Sequence, residues 1–226
     1  MIKNCNPLLM EIYSTLLHYF GPRDWWPADS RLEIIVGAIL TQAVSWKNVE
    51  KAIANLKGAE VLDIELLHRI DENELAELIK PALYHRQKAK KVKAMIDFIY
   101  REYQADLDSM KSDDLQTLRL KLLSVWGVGP ETADSILLYA CEKKIFVVDA
   151  YTSRIFSRIG LLDGKSGYDE VQSFMQTYLP PQLDIYNEYH ALIVALGAGY
   201  CRKTNPLCKK CPIMSYCKYS LNWQDN

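Results

Sequence analysis

Apolar positions along this chain recur mainly at helical spacing. Trp46, Val49, Ala52, Ile53 and Leu56 fall on one helix face, and Val92, Met95, Ile96, Ile99 and Tyr103 on another. Leu75, Leu78 and Ile79 mark a short helix that Pro81 ends. No long stretch alternates at period two. Ile145-Phe146-Val147-Val148 is the one β-like run, and it is too short to found a sheet. The pattern predicts an all-α protein of about ten helices joined by short links, with ordinary loops at 109–114 and 163–167. No internal repeat or low-complexity tract interrupts it.

Size and composition narrow the class. At 226 residues the chain fits one large domain or two small lobes. Its 49% hydrophobic and 24% charged residues describe an ordinary globular protein, not a disordered or collagen-like one. Uncharged runs such as 34–46 and 189–201, which no run exceeds in length, fall short of the roughly 18 residues a membrane span needs. The N-terminal segment lacks the apolar core of a signal peptide. A cytoplasmic, membrane-free protein acting as a monomer is the expectation.

A net charge of −1 excludes a bulk basic surface, so any polyanion must bind local patches. Two acid-free basic runs stand out. Residues 86–93 hold Arg86, Lys88, Lys90, Lys91 and Lys93; residues 201–218 hold Arg202, Lys203, Lys209, Lys210 and Lys218. Residues 60–77 hold seven acids against Arg69. Each run alone reads as a solvated helix face, but together they suggest a polarised surface on which a polyanion docks. His18, His68, His85 and His190 form no ligand spacing and read as surface or satisfied polar residues.

Six cysteines are unevenly placed. Cys5 and Cys141 are isolated, whereas Cys201, Cys208, Cys211 and Cys217 crowd one stretch with gaps of six, two and five. In a reducing compartment such a cluster is more often a metal site than a pair of disulfides. Structural zinc usually shows two tight pairs. One tight pair and two wider gaps favour a loop wound around an iron–sulfur cluster, with zinc second and unrelated thiols third.

Residues 122–141, LLSVWGVGPETADSILLYAC, read as helix, Gly-Val-Gly turn, helix. Gly127 and Gly129 permit positive φ and close backbone approach. Their N–H groups would form an anion nest that grips a phosphate without reading sequence, although a plain helix corner would look similar. Asp149 then follows the apolar run and precedes a helix. It suits an N-cap, a catalytic carboxylate, or both. Glu33 and Glu131 are weaker second carboxylates.

The cysteine gaps match those of the endonuclease III family, where C-x6-C-x2-C-x5-C holds a [4Fe–4S] cluster. The order of hairpin, Val-Asp and four cysteines resembles the helix–hairpin–helix DNA glycosylase superfamily over roughly residues 30–217. Ile39-Leu40-Thr41-Gln42 matches the helix end carrying that family's duplex-inserting glutamine, and Ala82–Lys93 resembles its "GLY…KA" helix start. The resemblance implies a two-lobed all-α fold with DNA across the cleft. Residues 30–140 would form a six-helix barrel lobe including the hairpin at about 115–141. Residues 1–29 plus 141–226 would form the second lobe with the cluster loop 201–217. It further implies double-stranded DNA carrying a damaged base as partner and Asp149 as the essential aspartate. The four cysteines would ligate the cluster, with DNA contacts from Gln42, Gly127, Val128, Gly129, Lys203, Lys209 and Lys210.

One departure bears on chemistry. Bifunctional members carry lysine two residues after the second hairpin glycine, where this chain has Glu131. A carboxylate forms no Schiff base, so the resemblance implies a monofunctional glycosylase using water, without lyase activity. Asp24-Trp25-Trp26-Pro27 looks like the base-stacking wall of the 3-methyladenine glycosylase type. Indole faces attract cationic alkylated purines by ~0.5–2 kcal/mol. Trp25, Trp26 and Pro27 would then line the base pocket, or the indoles would be core. A uracil, thymine-mismatch or oxidised-pyrimidine glycosylase, and a noncatalytic DNA-binding iron–sulfur module, are the alternatives.

Overall fold

In the computed structural model, residues 7–221 are described; Cys5 lies outside them. Their order is α1 (Pro7–Phe20), α2 (Arg31–Leu40), α3 (Trp46–Gly58), α4 (Ile64–Arg69), α5 (Glu72–Leu78), α6 (His85–Tyr103), α7 (Leu107–Ser112), α8 (Leu115–Leu123), α9 (Pro130–Ser135), α10 (Ala150–Ile159), α11 (Tyr168–Tyr178), α12 (Leu183–Gly199) and α13 (Lys218–Leu221). A π-helical stretch, Ile136–Ala140, extends α9. There is no strand among the described residues. The 109–114 stretch, expected as loop, is largely helical instead. Asp106 starts α7 by accepting from the N–H of Asp108, and Met110 anchors that helix in the core.

The chain divides into two compact units, Trp26–Lys143 and Met1–Trp25 with Lys144–Asn226. In the first, α2 is the central helix, packing against α3, α6 and α9. Its residues Leu32, Ile35, Val36, Ala38, Ile39 and Leu40 are all buried, as a helix apolar all round requires. Ser30 caps it by accepting from the N–H of Glu33 at 3.2 Å. Buried Glu33 accepts from the N–H of Asp29 and pairs with Lys57 at 2.8 Å, which makes it a structural carboxylate. The acids of 60–77 serve local ends: Asp63 caps α4 and Asp71 caps α5.

In the second unit α12 packs against α1 and α10. Tyr189 is fully buried, its ring edge-on to Tyr13, Phe146 and Phe156 and its hydroxyl donating to Leu9 O at 2.8 Å. The β-like run 145–148 is a buried extended segment. Two side-chain amides of α11 stand in for a neighbouring strand: Gln172 Nε2 donates to Phe146 O at 2.6 Å, and Phe146 N donates to Gln176 Oε1 at 2.9 Å.

Candidate active site and nucleic-acid interface

Two sets of candidate side chains emerge, one in each unit. In the Trp26–Lys143 unit they gather at the hairpin. Arg119 locks it, donating from Nε and Nη2 to the two oxygens of fully buried Asp134 at 2.7 and 3.1 Å. Gly127 has φ +83°, and a Cβ there would meet the Lys91 stem at 2.5 Å, so glycine is required twice over. Gly129 differs from expectation. Its φ is −100°, extended backbone open to any residue, and a Cβ would meet nothing within 4 Å. Val128 is buried, so only its backbone can face a ligand. Trp126, 56% exposed beside the turn, is an aromatic that periodicity alone does not single out.

Gln42 is bound to that hairpin. Its Nε2 donates to Gly127 O at 3.1 Å and Thr132 Oγ1 at 2.9 Å, while Lys91 Nζ donates to its Oε1. Lys88, expected on a basic surface, is only 2% exposed. Its ammonium donates to Leu40 O at 2.8 Å and Ala82 O at 2.6 Å, tying the end of α2 to the turn before α6. Burial, with Lys91 adding to it, pulls its pKa down to about 8. Lys93 likewise turns inward, donating to the carbonyls of Leu67, His68 and Ile70. The 86–93 run is therefore mostly structural, because α6 is amphipathic and sends these positions to its packed side. Just before it, Leu83 and Tyr84 carry positive φ values of 49° and 47° and stand exposed. No local sequence signal marks that conformation in such residues.

Trp26 sits half-buried in an aromatic group, edge-on to Trp46 at 5.2 Å and tilted against Tyr139 at 5.4 Å. Gly37 lets its indole approach α2: a Cβ there would meet the ring at 3.1 Å. Trp25 is half-buried at the end of the other unit, and Pro27 is exposed.

In that other unit Asp149 starts α10. Its Oδ1 accepts from Thr152 N at 2.7 Å and Thr152 Oγ1 at 2.8 Å, closing a capping box. Only 11% of its side chain is exposed. His190 of α12 brings Nε2 to 3.7 Å from Asp149 Oδ2. This histidine is buried, not a surface residue, and burial depresses its pKa while the Asp149 charge opposes that. Its distance in sequence hid the pairing. Exposed Glu131 opens α9 in the hairpin unit.

Further along α10, two arginines hold the cysteine loop. Arg154 Nε donates to Cys201 O at 2.8 Å. Arg158 Nη1 donates to Cys201 Sγ at 3.2 Å and Arg202 O at 2.7 Å, and its Nη2 to Lys203 O at 3.1 Å. Cys201, Cys208, Cys211 and Cys217 are free thiols lining one apolar cavity with Pro206 and Met214. Burial pushes the Cys211 thiol up to about 11. No three His, Cys, Asp or Glu side chains among the described residues converge on a single-ion site. Lys203, Lys209 and Lys210 are exposed around this loop. No described helix is long and apolar enough to cross a membrane.

These features define a DNA repair glycosylase, and the chain belongs to the HhH-GPD superfamily of base excision DNA repair proteins, whose model matches residues 36–181. It is 49% identical to a protein named "putative DNA repair glycosylase" from Methanocaldococcus jannaschii, over 96% of this chain and 99% of that one. It is 30% identical to endonuclease III of Sulfolobus acidocaldarius over 83% and 82% of the two chains. Among solved structures it is similar to the H. pylori 3-methyladenine DNA glycosylase bound to 1,N6-ethenoadenine, with TM-score 0.74, 28% identity, and 85% of this chain and 96% of that one covered. The fold also matches an endonuclease III trapped on DNA, with TM-score 0.81 at 17% identity, over 95% and 96%.

Proposed function

We propose that this chain is a monofunctional glycosylase, acting in the cytosol as one chain, that hydrolyses the N-glycosidic bond of a flipped alkylated purine of the 3-methyladenine type. The observation that carries this reading is Asp149, a carboxylate largely removed from water with one oxygen fixed by Thr152. DNA binding needs no such group, which weighs against a noncatalytic module. As the glycosidic bond breaks, its electron pair leaves with the cationic base, which departs neutral. The carboxylate opposes the oxocarbenium charge left on the sugar. Water then attacks the anomeric carbon and gives its proton to Asp149. Glu131 at the lysine position supports hydrolysis rather than Schiff-base chemistry. Trp25, Trp26 and Pro27 are proposed to line the base pocket. The fixed indole of Trp26 and the likeness to the H. pylori enzyme support a flat cationic base. Gln42 would leave the hairpin to fill the gap in the duplex. The backbone of Gly127, Val128 and Gly129, with Lys203, Lys209 and Lys210, would grip phosphates.

Cys201, Cys208, Cys211 and Cys217 are proposed to hold a [4Fe–4S] cluster. Four free thiols around one apolar cavity, with sequence gaps of six, two and five and a single tight pair, support a cluster over zinc. The cluster when bound would give the loop a rigid core beneath its lysines.

Base release from duplexes carrying 3-methyladenine, hypoxanthine, uracil or a G·T mismatch tests the reading. 3-Methyladenine should leave fastest. Asp149→Asn should lower the rate by about a hundredfold or more with DNA affinity kept. Borohydride should trap no adduct. Release of uracil or thymine with methylated purine untouched would move the assignment to the pyrimidine branch. Purified protein should be brown, and a colourless protein with stoichiometric zinc would refute the cluster.

A further inference from the structure

We propose that His190 is the positioning residue for Asp149, presenting Nε2–H to Oδ2 so that the carboxylate is held in one rotamer. The inference rests on the proposed function and deepens it. A carboxylate only 11% exposed has little water to satisfy it and needs hydrogen-bond donors facing both oxygens. Oδ1 has two donors, the N–H and hydroxyl of Thr152, at 2.7 and 2.8 Å. The group that the fold brings to Oδ2 is the His190 imidazole, at 3.7 Å and 8% exposed. That spacing is longer than a hydrogen bond. Catalytic contacts of this kind often tighten only once substrate is bound.

Three features argue for a neutral ring donating, not a floating ion pair. His190 lies on α12 among Tyr189, Ala191 and Ile193, all buried. Burial disfavours its protonated form, and Asp149 is the charge that acts against this. Both residues are placed by rigid elements, Asp149 by a capping box and His190 by a 17-residue helix packed on α1 and α10. A neutral donor stabilises the carboxylate without cancelling the negative charge that must face the oxocarbenium.

The test uses His190→Leu, which removes the donor, and His190→Gln, whose amide nitrogen reaches the place of Nε2. Single-turnover base release is measured on the lesion duplex that wild type cleaves fastest, and affinity on the same duplex with an abasic-site analogue. His190→Leu should lose about tenfold to a hundredfold in rate, the value of a hydrogen bond to a charged group, with affinity little changed. His190→Gln should recover most of the rate. A Leu variant excising at wild-type rate, or a folded Gln variant as slow as Asp149→Asn, would overturn the proposal. If the Leu variant does not fold, the Gln variant alone decides. A second arm needs no activity: the His190 ring-nitrogen resonances should move between wild type and Asp149→Asn, and unmoved resonances would refute the pairing. A wild type that releases no base overturns the glycosylase reading instead, and the resonance shift still judges the pair.

Discussion

Residues 86–93 and 201–218 look alike in sequence, each a run of five cations without an acid, yet they meet opposite fates. In the first, Lys88, Lys91 and Lys93 turn their ammonium groups to carbonyls and a side-chain amide within the protein. Arg86 and Lys90 are left exposed. In the second, the protein holds the backbone from beneath through Arg154 and Arg158, and all five cations are exposed. The difference is periodicity. A 19-residue amphipathic helix must turn some positions of any run toward its packed face, whereas a loop with only short 3-10 turns, entering α13 at Lys218, has no such obligation. A run of like charges is therefore an interface signal only once its secondary structure is known.

The largest expected effect breaks the symmetry of the two runs directly. Lys88→Met strands two buried carbonyls, and even with the buried charge gone it should cost ~2–3 kcal/mol in urea unfolding. The wild type should also carry a pH signature. The folded pKa, about 8, lies below the ordinary 10.5, so between these values the unfolded chain binds more protons. Lys88's contribution to stability should then rise with pH across that window and be flat below it, and Lys88→Met should remove the slope. By contrast, Lys203→Ala, Lys209→Ala and Lys210→Ala together should leave stability within ~0.5 kcal/mol. They should flatten the salt dependence of DNA affinity by about 0.9 for each phosphate that these lysines neutralise in wild type. If Lys88→Met spares stability and weakens DNA binding, the comparison is wrong.

The same contrast explains what was legible beforehand. The all-α class, the long α6 and the hairpin followed from apolar spacing, because helix faces report burial directly. The faces 49–56 and 92–103 are indeed core. Residues joined across distance were invisible. Nothing near His190 in sequence points to Asp149, and nothing near Gln42 points to Thr132. The positive φ of Leu83 and Tyr84 runs against the local preference of both residues, so local pattern could not announce it. Local pattern likewise could not say that side-chain amides of α11 would replace a strand at Phe146.

The two hairpin glycines give the next effect in size. Gly127→Ala places a Cβ at φ +83° and against the Lys91 stem, and should destabilise by ~1–2 kcal/mol. Gly129→Ala meets no steric obstacle within the protein and should leave stability unchanged or slightly raised. Its effect should appear only with DNA, as weaker binding, if a phosphate approaches that backbone as closely as the turn allows. Equal thermal melts for the two variants would refute the backbone assignment. Undiminished DNA affinity in Gly129→Ala would remove that residue from the interface.

The smallest effect sharpens the role of Gln42. In the free protein its amide is tied to Gly127 O and Thr132 Oγ1, so a glutamine that enters the duplex must first give up those bonds. Thr132 is 6% exposed, and Thr132→Val keeps its shape while deleting the acceptor. The free protein should lose ~0.5–1.5 kcal/mol, the net worth of one hydrogen bond. The complex should lose nothing if Gln42 has moved away. Binding to a duplex with an abasic-site analogue should then tighten by up to about tenfold, since that bond no longer has to be broken. Unchanged or weaker affinity would mean that Gln42 keeps its place on the hairpin when DNA is bound and serves as a brace rather than a wedge.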